Sequence, residues 1–195
     1  MTTLTPSTST GAVAVPVQDE LLYEIIAGQR VEMPPRSAYA TWLTSRLHGL
    51  LWPYIEEHAL GTAVTEMLFI LDVSRDLRRR PDVSFVSVVR WPLHQELPET
   101  GGWNVVPELA VEVLSPNDVM KDVLAKLREY FHYGVQVGWL VLPEEQQVYV
   151  YTSPTQVRIC TVADTLTEEQ LMPGLRLPLA RLFQPTTATR SAPTS

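Results

Sequence analysis

Apolar residues recur along this chain in two rhythms, every second position and every third or fourth, and the changes of rhythm divide it into elements. Leu22-Tyr-Glu-Ile-Ile26 and Arg30-Val-Glu-Met33 are strand-forming runs about Ala27-Gly-Gln29, which predicts a hairpin ended by Pro34 and Pro35. From Ser37 to about Glu57 the spacing turns helical through Leu43, Leu47, Leu50, Leu51, Tyr54 and Ile55, and Pro53 is expected to kink or split that helix. Strand-like runs follow at 63–72, 83–89 and 108–114 and read as one central sheet. Ser115-Pro-Asn-Asp118 supplies an N-cap candidate and a first-turn proline for a second helix over 118–133, with Val123, Leu127, Tyr130 and Phe131 on one side and Gly134 at its end. Runs at 138–142, 147–151 and 157–162 complete the strands.

The order is hairpin, helix, three strands, helix, strands, which fits an α/β (α+β) fold with a mixed β-sheet flanked by helices. Within it, 108–114, 118–133 and 138–142 make a crossover unit, for which parallel strands and a right-handed connection are expected.

At 195 residues and 45% hydrophobic content the chain has enough apolar surface for one domain, placed at 19–184. Residues 1–18 and 185–195 are Thr/Ser/Pro-rich and are read as disordered arms, without the basic start and apolar stretch of a secretory signal and without a membrane span. The net charge of −7 argues against binding a polyanion by bulk charge, so any such contact must be local. A single cysteine, Cys160, forms no internal disulfide, and no Cys/His spacing suits zinc, which favours a reducing, cytoplasmic setting.

Glu112 changes the picture. In Leu109-Ala-Val-Glu-Val-Leu114 a period of two puts Leu109, Val111 and Val113 on one face and Ala110, Glu112 and Leu114 on the other, so the acid points among small and apolar neighbours. A carboxylate left unpaired there costs on the order of 3 to 5 kcal/mol and must meet a cation, a donor network or a metal. Asp82 follows Pro81 at the start of another apolar strand, where two carboxylates from neighbouring strands can meet, and such a pair is sufficient for Mg²⁺ or Mn²⁺ completed by water and phosphate oxygens. Asp122 and Lys126 stand four residues apart on one helical face, where the bland reading is an exposed ion pair and the functional one a lysine beside a phosphate.

These residues carry a resemblance. Arg80-Pro-Asp-Val83, Pro107-Glu-Leu-Ala-Val-Glu112-Val-Leu-Ser-Pro116 and Asp122-Val-Leu-Ala-Lys126 are followed by Tyr130, Gly134-Val135 and Trp139-Leu-Val. In that order they resemble the Uma-two branch of the PD-(D/E)XK restriction-endonuclease-like nucleases, from about Tyr23 to Phe183. The resemblance implies a metal-dependent phosphodiesterase in which Asp82 and Glu112 hold the metal and Lys126 is the lysine, supplied from the helix because Leu114 stands where the standard motif has it. It also implies outer-shell roles for Glu32 and Asp122. Three positions depart from the branch: Ala40 in place of a histidine, Val137 in place of an acid and Leu142 in place of an aspartate.

Arg75, Arg78, Arg79 and Arg80 lead into Asp82, and a basic loop there suits a phosphate backbone, with Arg78, Arg79 and Arg80 as candidates and a plain solvated loop as the alternative. His48, His58, His94 and His132 lack ligand spacing, and the five tryptophans read as core or loop anchors, Trp91 and Trp103 in a proline-rich loop that could border a cleft. The function expected is hydrolysis of nucleic acid, DNA favoured, with a two-fold dimer if both strands are cut. The rival is a nuclease-derived binding or interaction module that no longer cleaves. A two-carboxylate glycosidase ranks last, because it leaves Lys126 without a task.

Overall fold

The structure, a computed structural model, describes residues 21–184, so the arms expected at 1–18 and 185–195 lie outside the described residues. The chain opens with a hairpin of β1 (Tyr23–Ile26) and β2 (Gln29–Glu32), closed through Ala27 and Gly28 at φ 51° and 75°. Positive φ at both central residues matches the right-handed twist of the flanking strands. Helix α1 (Ala38–Glu57) starts at Ser37, whose side chain accepts from the Ala40 N–H. It runs through Pro53 as one element, and the expected split does not occur. Pro53 and Gly49, four residues earlier, are both exposed, so the carbonyl that loses its donor is open to water.

The run at 63–72 is two strands, β3 (Gly61–Thr65) and β4 (Phe69–Asp72), in different sheets. Glu66 at φ 50° turns the chain between them, which an apolar pattern alone does not reveal. The basic stretch, expected as a loop, contains β5 (Leu77–Arg79), which pairs with both β1 and β4. Then come β6 (Val83–Ser87), β7 (Leu109–Val113), α2 (Met120–His132), β8 (Val137–Leu142), β9 (Gln147–Ser153) and β10 (Gln156–Thr161). A β11 (Thr165–Glu168) and β12 (Met172–Pro178) hairpin and a short α3 (Leu179–Phe183) end the described chain.

Six strands form the mixed central sheet in the order β10-β9-β8-β7-β6-β3, and four form a smaller sheet, β2-β1-β5-β4. β7 and β8 are parallel, with Glu112 opposite Leu140, so the β7-α2-β8 crossover forms as the pattern predicts. Burial also follows the period of two. Leu109, Val111 and Val113 join the core under α1, whose Ala40, Leu43, Leu47, Leu51 and Ile55 point into it. Ala110 packs on the opposite face with Tyr130 of α2. Trp103 is fully buried, stacked on Phe69 and edge-on to Trp91, as a core anchor.

α2 begins at Met120, two residues later than expected, and Val119 precedes it without a side-chain cap. Ser115 and Asp118 instead close a turn of their own, the Asp118 carboxylate accepting from the Ser115 N–H at 2.7 Å.

Candidate active site

Glu112 lies on the side of β7 that faces α2, and α2 reaches it twice from one helical face. Lys126 Nζ stands 2.9 Å from Glu112 Oε1, and the Tyr130 hydroxyl donates to the same oxygen at 2.7 Å. One turn separates those two residues, so both point at the strand the helix crosses. Lys126 does not pair with Asp122; its second carboxylate is Glu24, from β1, at 2.8 Å.

Glu24 is the residue the sequence reading leaves unassigned. Its Oε2 accepts from Arg79 at 2.7 Å and its Oε1 from the Arg80 backbone N–H at 2.9 Å, and it is only 7% exposed. The signal was the one that singled out Glu112, an acid inside an apolar strand in Tyr23-Glu-Ile-Ile26. A short hairpin strand gave no reason to expect burial. Glu32, on the edge strand β2, is exposed instead, and Glu32 and Asp122 both line the mouth of the cleft.

Asp82 is completely buried where β6 meets β7. Its backbone N–H donates to Val111 at 2.9 Å, and its Oδ2 accepts from the Val113 N–H at 2.5 Å, so the side chain extends the ladder. Arg36, from the segment entering α1, holds Val113 O through Nη1 at 2.9 Å and places Nη2 2.5 Å from Asp82 Oδ1. The contact is a close ion pair, and Oδ1 has no further hydrogen bond.

The electrostatics follow from this crowding. Burial, and then the charge of Glu112, push the Asp82 carboxyl up to about 8 against the pull of Arg36. Burial alone would lower Lys126, but Glu112 and Glu24 outweigh it and hold the ammonium up at about 12. Burial would raise Glu24, but Lys126 and Arg79 outweigh it and keep its carboxyl below the usual range. Burial and the facing Glu112 and Glu24 raise the Tyr130 phenol well above its ordinary value, so it stays a donor.

Glu24, Arg36, Arg79, Glu112 and Lys126 line a cleft of about 590 Å³, with Asp82 and Tyr130 sealed behind them. The arginines expected to meet phosphate are already engaged. Arg79 bonds Glu24 and Glu129, Arg80 bonds the carbonyls of Tyr23 and Glu66, and Arg78 bonds Asp76 at 2.9 Å. Because β5 pairs with β1, the basic run ties the small sheet to α2 instead of standing free as a loop.

Among the described residues no three His, Cys, Asp or Glu side chains gather as a ready-made metal cluster. The donor set nevertheless fits a small hard cation. Asp82 Oδ1 is a buried oxygen with no partner beyond its ion pair with Arg36, and Glu112 is close enough for its charge to oppose ionisation of Asp82. Mg²⁺ and Mn²⁺ take such carboxylate pairs and draw their remaining ligands from water and phosphate.

A family model described as "Putative restriction endonuclease", Uma2, matches residues 13–180. The chain belongs to the Uma2 family. Its fold is similar to that in a crystal structure of "a putative nuclease belonging to DUF820" from Anabaena variabilis, with a TM-score of 0.69 and 22% identity over 83% of this chain and 89% of that one. No curated protein matches in sequence. The Uma2 description, on a restriction-endonuclease-like fold, supports a nuclease-like function. No described helix of this Uma2 chain is long and apolar enough to cross a membrane.

Proposed function

We propose that the protein is a metal-dependent endonuclease that hydrolyses phosphodiester bonds of nucleic acid, DNA in particular, in the cleft floored by Glu112 and Lys126. The observation that carries this reading is the meeting of Glu112 and Lys126 at one opening, with Asp82 sealed close enough behind them for Glu112 to oppose its ionisation. Asp82 and Glu112 would hold Mg²⁺ or Mn²⁺. When bound, the ion supplies Lewis-acid polarisation of the phosphodiester and activation of the hydrolytic water.

The protein's own groups have distinct tasks. Lys126, with its ammonium held up at about 12, is a fixed cation at working pH and not a base, so it stabilises charge that builds on the phosphate. Tyr130 and Lys126 together fix Glu112 Oε1, which leaves the other carboxylate oxygen of Glu112 for a ligand. Val113 fixes Asp82 Oδ2 in the same way. Glu32 and Asp122 at the cleft mouth suit outer-shell roles, and cutting of both strands would call for a two-fold dimer. A cytoplasmic, reducing setting goes with the buried free thiol of Cys160.

A second reading has its own observation. With Arg36 on Asp82 and Lys126 between Glu24 and Glu112, the carboxylates are already neutralised internally, as a closed network in a non-cleaving interaction module requires.

The test is incubation of supercoiled plasmid, linear duplex and single-stranded DNA with Mg²⁺, Mn²⁺ or EDTA, alongside Glu112→Gln and calorimetric titration of Mn²⁺. Metal-dependent nicking lost in the variant is the expected result. No cleavage together with no Mn²⁺ binding overturns the reading in favour of the module.

A further inference from the structure

We propose that Arg36 is a built-in competitor of the divalent cation, occupying the one oxygen of Asp82 that a metal would use and leaving it when the metal binds. The inference rests on the reading of Asp82 and Glu112 as ligands. Asp82 has two oxygens, and the Val113 N–H takes Oδ2 at 2.5 Å. Oδ1 is the oxygen left for an incoming cation, and Arg36 Nη2 stands 2.5 Å from it. Two cations cannot share that oxygen in a buried site, where like charges repel far more strongly than in water.

Arg36 is built to hold this place and to give it up. Pro34 and Pro35 stiffen the approach, and the following Ser37 N–H donates to Ser115 Oγ at 2.9 Å, which anchors the backbone beside the end of β7. The Arg36 side chain is free of such anchoring. It lines the cleft, is 15% exposed, and has Val113 O as its other partner, whereas Asp82 beneath it is sealed. The guanidinium therefore has open space to swing into, and the carboxylate does not move. Lys126 differs, because Glu24 holds it as well as Glu112 and it takes only Oε1 of Glu112, so it can stay beside an ion on the other oxygen.

Titration calorimetry of Mn²⁺ on the whole protein tests this with wild type, Arg36→Met and Arg36→Lys, each checked for a cooperative melt. Arg36→Met is expected to bind Mn²⁺ about tenfold more tightly than wild type, and Arg36→Lys, which keeps the charge, to stay closer to wild type. Equal affinity in all three, or weaker binding in Arg36→Met, overturns the inference while the metal-dependent reading stands. No binding in any of them overturns both. A measurement on wild type alone covers the case in which Arg36→Met does not fold: the side-chain Nε–H resonance of Arg36 should shift on addition of Mg²⁺, and a resonance that does not move overturns the proposal.

Discussion

Lys126 and Glu112 come from a helix and a strand to stand 2.9 Å apart, and the same ammonium reaches Glu24 at 2.8 Å. One cation thus bridges two nearly buried carboxylates, with Arg79 as a second cation on Glu24. Replacing Lys126 by Met keeps the length of the side chain and removes the charge, and such a change should destabilise the fold by on the order of 3 kcal/mol because two buried acids lose their shared partner. Glu112→Gln in the Lys126→Met background should then cost much less than Glu112→Gln alone. Urea denaturation of the four proteins in this cycle measures the coupling, and strict additivity would show that the pair contributes nothing as a pair.

A pH dependence follows from Asp82. Its carboxyl titrates near 3.9 in the unfolded chain and at about 8 in the folded protein, raised by burial and by Glu112. A group raised on folding contributes stability that is complete below the unfolded value and is lost as pH rises through the folded one. In EDTA the melting temperature should therefore fall between about pH 4 and pH 8 more steeply for wild type than for Asp82→Asn, at about 2 to 4 °C per kcal/mol for a domain of this size. Parallel profiles for the two proteins would contradict the raised carboxyl.

Much of this was legible in the sequence, and what was missed has particular causes. The β7-α2-β8 unit follows from a period of two giving way to a period near four, and Glu112 stood out because it interrupts the first of these. Asp122 and Lys126 share a face by spacing, but spacing does not say what that face meets; Glu24 reaches Lys126 because the β1-β5 pairing carries the hairpin across to α2, a contact between residues more than 100 positions apart. Arg36 is invisible for the same reason, since its partner is 46 residues away and its own neighbourhood is a proline-rich connector. The basic run was visible as charge, yet its direction depended on a three-residue strand too short to show any period.

Two glycines separate backbone crowding from side-chain crowding. A Cβ on Gly61 would lie 2.1 Å from the Val86 carbonyl oxygen, at φ +155°, within the β3-β6 ladder. Nothing there can yield without breaking the pairing, so Gly61→Ala should cost more than about 3 kcal/mol, beyond the usual range for overpacking. A Cβ on Gly138 meets instead the end of Leu127, at 2.5 Å from Cδ2, and that side chain can turn. Gly138→Ala should cost about 1 to 3 kcal/mol, with α2 shifted slightly on β8. Chemical denaturation gives both values, and the opposite ranking would mean that the α2-β8 contact is the more rigid of the two.

Glu24 tests whether a carboxylate in this cleft can matter without holding a metal. It shares Lys126 with Glu112, and three donors converge on its two oxygens, from Lys126, Arg79 and the Arg80 backbone. Glu24→Gln keeps an acceptor for the Arg80 N–H and removes the charge that fixes Lys126 in place. If Glu24 only positions Lys126, cleavage should slow about tenfold or more, in line with loss of a charge-stabilising group, while the calorimetric Kd for Mn²⁺ stays within about threefold of wild type. If Mn²⁺ affinity collapses together with cleavage, Glu24 is a third ligand, and Lys126 or Arg79 must then give up its oxygen whenever an ion is bound, because each of the two oxygens already has a cation on it.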